Sequence, residues 1–234
     1  YSGPVAAYAY RMVQGETFDR VVVVGPLHRG IPGARLEPVM TSAEAAYETP
    51  LGEVPLDRPF LNALARRFPI AVVAGDQEHS LEIQLPFLQE ALGRFAVAPL
   101  ILAEAPDEEE SLVRCLALGE AIAATARAAE GRTLLVASSD LAHLDDYRLV
   151  IAYDKVLEEL VAAFDLEGLI EALVAGRCYA CGGAAIVAVM AAARALGAAR
   201  AQVLRYTSGD VTGDKRPGTY TVGYLAAAFI REQT

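Results

Sequence analysis

The chain is short of cysteine, of histidine and of positive charge, and the shortages rule out several classes of protein. Its three cysteines, an odd number in 234 residues, cannot form the disulfide framework of a small secreted domain. Lysine and arginine total 20 against 30 acidic residues, and the net charge of −10 argues against general affinity for nucleic acid or an anionic membrane surface. No apolar run is both long enough and free enough of charge to span a bilayer, and no basic stretch followed by a hydrophobic one opens the chain. The expectation is a cytoplasmic protein with neither nucleic-acid nor membrane partners.

What is present is apolar. Hydrophobic residues make up 54% of the chain and charged residues 21%, the balance of a folded protein with a substantial core. Runs at Val21 to Gly25, Ile70 to Ala74, Ala96 to Leu102, Thr133 to Ala137, Val203 to Thr207 and Thr219 to Ala226 read as strands. Helical patterns separate most of them: Arg58 to Arg67, the series Leu81, Leu85, Leu88 and Leu92, Ser111 to Ala129, Tyr147 to Phe164, Leu166 to Val174 and Ala184 to Leu196. An earlier helix starts with Ser2 as its cap and Pro4 in its first turn. Pro86 predicts a kink or a short first turn in the leucine helix, and the Pro- and Gly-rich stretch Gly30 to Asp57 predicts irregular or hairpin structure. Strands alternating with helices imply crossover connections. The predicted fold is therefore α/β, a three-layer single domain over residues 1–234 with a mostly parallel central sheet.

The three histidines share one kind of position. His28, His79 and His143 each follow an apolar strand, and in an open parallel sheet ligands gather beyond the carboxyl ends of the strands. A single histidine there is more often a helix cap or a satisfied loop residue; three together point to a metal or catalytic site. Imidazole and thiolate suit zinc, iron or copper, whereas magnesium and calcium prefer oxygen. Cys181 opens the Ala184 helix, whose N-terminus favours a thiolate. Cys178 makes a C-x-x-C pair with it, without the second pair of a zinc ribbon, and Cys115 reads as a small core residue.

Asp140 and His143, three apart, share a face if their segment is helical, the arrangement of an acid/base group oriented by a carboxylate. The competing reading makes Ser139 or Asp140 a cap for the Tyr147 helix. Neither Ser138 nor Ser139 lies in G-x-S-x-G, which argues against a serine hydrolase. The loop from Ser208 to Asp214 either approaches a ligand or is a surface turn.

Several motifs occur in order: Tyr1-Ser-Gly-Pro-Val-Ala-Ala-Tyr-Ala-Tyr10, Gly25-Pro-Leu-His28, Thr49-Pro-Leu-Gly52, Glu78-His-Ser-Leu-Glu-Ile-Gln-Leu-Pro86, Ser138-Ser-Asp-Leu-Ala-His143, Cys181-Gly and Tyr206-Thr-Ser-Gly-Asp210. Together they resemble the Memo family, called AmmeMemoRadiSam system protein B in prokaryotes, along nearly the whole chain. The resemblance implies a fold similar to the class III extradiol (LigB-type) dioxygenases, which open catechol rings with non-haem iron. By this resemblance His28, His79 and Cys181 match metal-binding positions, and His143 is placed like the dioxygenases' acid/base histidine, beside Asp140. Ser139, Ser208 and Asp210 are the expected substrate contacts. Cys181 stands where a ring-cleaving dioxygenase offers a carboxylate, so ring cleavage itself does not carry over.

The expectation is a His/His/Cys cleft holding iron or copper, with zinc as a further candidate, in a redox protein acting on a small, phenolic substrate. A non-catalytic peptide-binding adaptor and a zinc hydrolase are the competing readings. The family also implies a functional link to a radical-SAM protein and an AMMECR-type protein, and further chain before Tyr1.

Overall fold

The valines of Arg20–Pro26 (β1) are wholly buried, which requires cover on both faces of the strand. The computed structural model describes residues 1–31, 33, 35–208 and 220–231. Before β1 lies helix α1 (Gly3–Arg11). After it come β2 (Val39–Ser42), β3 (Ala46–Thr49), β4 (Gly52–Pro55), α2 (Arg58–Ala65), β5 (Ala71–Val73), α3 (His79–Glu82), α4 (Leu85–Leu92), β6 (Ala96–Leu102), α5 (Glu109–Ala128) and β7 (Thr133–Ala137). The chain continues through β8 (His143–Leu144), α6 (Tyr147–Ala162), α7 (Leu166–Val174), α8 (Gly183–Ala195), β9 (Ala198–Ser208) and β10 (Thr221–Arg231).

The central sheet has the order β5-β2-β6-β1-β7. Val21 of β1 lies in parallel register with Val97 of β6 on one side and Leu134 of β7 on the other. β2 is parallel to β5 and antiparallel to β6, which leaves the sheet mostly parallel as expected. Helix α8 packs on β1 and β7, α5 lies along α8, and α3 meets β1, which completes the layered α/β arrangement. The alanines of α8 are what allow α5 so close: from Ala184 to Ala193 all but Ile186 are buried.

The departures from the sequence reading have local causes. Val39–Ser42 becomes a sheet strand inside a segment whose Pro and Gly content predicts only loops or a hairpin; the hairpin is the neighbouring β3–β4 pair. Pro86 divides the leucine helix into α3 and α4 and sits in the first turn of α4, where its missing N–H costs nothing. Ser2 occupies the cap position of α1 but already has helical backbone angles and makes no side-chain cap. The final two strands do not extend the central sheet; they pair antiparallel, and β8 joins them in the order β8-β10-β9. Among the described residues no helix is long and apolar enough to cross a membrane.

Candidate functional site

Three strand ends converge. β1 delivers His28, the loop after β5 delivers Glu78 and His79, and the chain beyond β7 delivers Ser138 to His143. The rings of His28 and His79 stack with centroids 4.9 Å apart and planes 28° from parallel. Both are held by one buried carboxylate. Glu78 Oε1 accepts from Ser80 N at 2.9 Å and lies 3.1 Å from His28 Nδ1 and 3.3 Å from His79 Nδ1, while Oε2 accepts from His28 N at 2.6 Å. Burial acts to raise the Glu78 carboxyl, but the N–H groups of His28 and Ser80 and the His28 ring outweigh it and hold it below its ordinary range. With Nδ1 of each imidazole turned to Glu78, Nε2 is the atom each has left for a ligand.

A second layer of hydrogen bonds fixes the three strand ends to one another. Ser80 Oγ donates to Pro26 O at 2.8 Å, Ser138 Oγ donates to Ser80 O at 2.6 Å, and Gln84 Nε2 donates to Ser138 Oγ at 2.7 Å. The Tyr10 hydroxyl, reaching from α1, donates to Gln84 Oε1.

Cys181 is clamped to Asp140. Its Sγ accepts from Asp140 N at 3.2 Å and its own N donates to Asp140 O at 3.3 Å. Ser139 Oγ donates to Asp140 O at 2.7 Å, accepts from Gly182 N at 2.9 Å and lies 3.9 Å from Sγ. Cys181 precedes the Gly182 cap of α8, and burial pushes its thiol up despite the Asp140 N–H. Of the expected ligands, the structure groups the two histidines and not the cysteine. Among the described residues, the cluster whose ligating atoms lie within 4.8 Å of one another is His28, Glu78 and His79, and Cys181 is outside it.

His143 and Asp140 are neighbours, though not on a helix. His143 begins β8, the segment before it is irregular, and the cap of α6 is Asp146 rather than Ser139 or Asp140. His143 Nε2 lies 3.6 Å from Asp140 Oδ2, beyond hydrogen-bond length, and is buried with no hydrogen-bond partner among the described residues. Its Nδ1 lies 3.3 Å from the Tyr220 hydroxyl. Burial lowers the His143 imidazole, Asp140 partly offsets this, and the charge of His28 adds to it. Burial raises Asp140, against the pull of His143 and His28. Both groups are thus biased toward neutrality.

The family model for Memo-like proteins matches residues 1–228. The chain belongs to the Memo-like family. A MEMO1 family protein of Methanopyrus kandleri is 35% identical over 99% of the chain and 80% of its own length, and one of Nitrosopumilus maritimus is 35% identical over 98% and 80%. The crystal structure of an uncharacterized protein of Escherichia coli K12 matches with a TM-score of 0.54 at 12% identity, covering 93% of this chain and 90% of that one. At that identity the likeness is one of fold alone.

In this Memo-like protein Ser208 is buried at the end of β9, opposite Gly223. Asp210 lies outside the described residues. Cys115 and Cys178 are core thiols, pushed by burial up to about 12 and about 11. Sequence reasoning missed Glu78, Gln84 and Tyr220. Glu78 carried a signal as the acid adjoining a strand-end histidine, but an acid in front of a short helix also reads as a cap, and Glu78 is that too.

Proposed function

We propose that this Memo-like protein is a metal-dependent redox protein, with iron or copper held by His28, His79 and Cys181 and a small, phenolic substrate taken into the cleft. One observation carries the reading: a single buried carboxylate takes the Nδ1 side of two stacked imidazoles. Metal-ligating histidines commonly give their second ring nitrogen to such an acid, which fixes tautomer and aim. Glu78 is better suited to this than to ligation, because both its oxygens already accept hydrogen bonds. Two imidazoles and a sulfur suit iron, copper or zinc.

The bound ion would supply redox or Lewis-acid chemistry at neutral pH. The chain's own groups handle the proton. His143 accepts a proton from a substrate hydroxyl through Nε2, which has no hydrogen-bond partner among the described residues, and the nearby Asp140 steadies the imidazolium that results. Ser139 keeps Asp140 and Gly182 in register beside Cys181. Substrate contact is further proposed for Ser208, and for Asp210 on the sequence motif alone.

The test is metal content by mass spectrometry after anaerobic purification, on the wild type and on His28→Ala, His79→Ala and Cys181→Ala. Near-stoichiometric iron or copper, lost in all three variants while they remain folded, is expected. Zinc alone would redirect the reading to hydrolysis. A wild type that neither carries metal nor takes it up on reconstitution overturns it.

A further inference from the structure

Asp154 is fully buried in α6, a helix that carries none of the cleft residues. A carboxylate in such a place is costly unless its oxygens are used, and here they are. Oδ1 accepts from Ala142 N at 3.1 Å and Oδ2 accepts from the Tyr206 hydroxyl at 3.0 Å. The same carboxylate presses on Gly223 of β10 so closely that a Cβ there would overlap it. Gly223 in turn binds the loop from both sides: Leu141 N donates to Gly223 O at 2.9 Å and Gly223 N donates to Ala142 O at 3.1 Å. The preceding residue, Val222, is in register with His143. One side chain therefore closes a junction between α6, β9, β10 and the stretch that joins Asp140 to His143.

We propose that Asp154 is a positioning residue, which fixes Ala142 and through it aims Asp140 and His143 into the cleft. An apolar residue would fill the same volume but leave the Ala142 N–H buried and unpaired. The consequence for chemistry rests on the reading of Asp140 and His143 as the proton-handling pair; the placement itself needs no metal.

With three histidines in the chain, each imidazole gives a separable NMR signal. The experiment compares wild type, Asp154→Ala, Asp154→Asn, Gly223→Ala and Leu157→Ala by amide hydrogen exchange and imidazole titration. Leu157 is the control, fully buried on the same helix and remote in role. In Asp154→Ala, exchange at Leu141, Ala142 and Gly223 rises roughly tenfold more than elsewhere, and the titration midpoint of His143 moves while those of His28 and His79 stay. Asp154→Asn, which still offers Ala142 an acceptor, restores both. Gly223→Ala displaces the carboxylate from the opposite side and reproduces the alanine variant. Leu157→Ala lowers stability evenly and leaves His143 unchanged.

The proposal is overturned if Asp154→Ala or Gly223→Ala behaves like Leu157→Ala, or if Asp154→Asn and Gly223→Ala both fail to fold. No readout depends on metal content, so this result and the failure of the metal reading are separable.

Discussion

Glu78 holds His28 at two points, taking its backbone N–H on Oε2 at 2.6 Å and lying 3.1 Å from its ring Nδ1 through Oε1. The loop and the ring are thereby oriented by one side chain that is itself buried. In Glu78→Gln one oxygen becomes an N–H₂ that opposes the donors it faces, so ring orientation is lost before the fold is. Metal affinity, measured by calorimetric titration of iron(II) or zinc, should fall roughly 10- to 100-fold. Undiminished affinity in the folded variant would reduce Glu78 to a helix cap.

Asp154 makes stability depend on pH with an unusual sign. Burial pushes its carboxyl up from 3.8 to about 6, against the pull of the Ala142 N–H and the Tyr206 hydroxyl. Between those values the folded protein holds a proton that the unfolded chain has released. Its stabilising contribution is full below about 4, is lost as pH rises to about 6 and is level beyond. The ceiling is roughly 3 kcal/mol. Glu78, held below its ordinary range, works the other way and loses its contribution as pH falls, so the informative quantity is the difference between wild type and Asp154→Asn. Urea unfolding at pH 4.5 and pH 7 should show Asp154→Asn gaining on the wild type at the higher pH. Parallel behaviour would place Asp154 in the ordinary carboxylate range.

How much of this was legible in the sequence depended on whether a signal was local. Apolar runs such as Thr133–Ala137 could become little but strands, and that run appears with its expected bounds, half-buried at the edge of the central sheet. The gathering of His28 and His79 follows from strand ends in a parallel sheet and needs no contact information. Glu78 and Asp154 were hidden for a different reason. Their roles come from what faces them across the fold, and a carboxylate before a helix or inside one has an ordinary local explanation. β2 was hidden because four residues are too few to show periodicity. The neighbourhood of Asp140 and His143 was expected on helical spacing but arises through an irregular segment held by β10.

Gly119 is where α5 crosses α8. A Cβ there would lie 2.5 Å from Ala188 O and 2.7 Å from the Ala191 Cβ, and neither atom can swing aside. Gly119→Ala should destabilise the protein by roughly 1–3 kcal/mol through overpacking, read as a lower urea midpoint. Because this contact lies between two helices and touches none of the cleft residues, metal content per folded molecule should be unchanged.

Gly182 offers the contrasting case. Its backbone angles, φ −101° and ψ 30°, suit other residues, so space rather than conformation demands glycine. A Cβ would meet the Ser138 carbonyl oxygen and lie 2.8 Å from the Ser139 Cβ. Relief requires the start of α8 to move away from the chain leaving β7, which pulls Cys181 Sγ off the Asp140 N–H and Gly182 N off Ser139 Oγ. Gly182→Ala should therefore cost stability on the same scale as Gly119→Ala, roughly 1–3 kcal/mol, and also weaken metal retention by about tenfold or more, as expected when a ligand is displaced. Measured side by side, the two variants separate packing damage from site damage. If Gly182→Ala holds metal as tightly as Gly119→Ala does, Cys181 is not a ligand, and the site reduces to the two histidines that Glu78 holds.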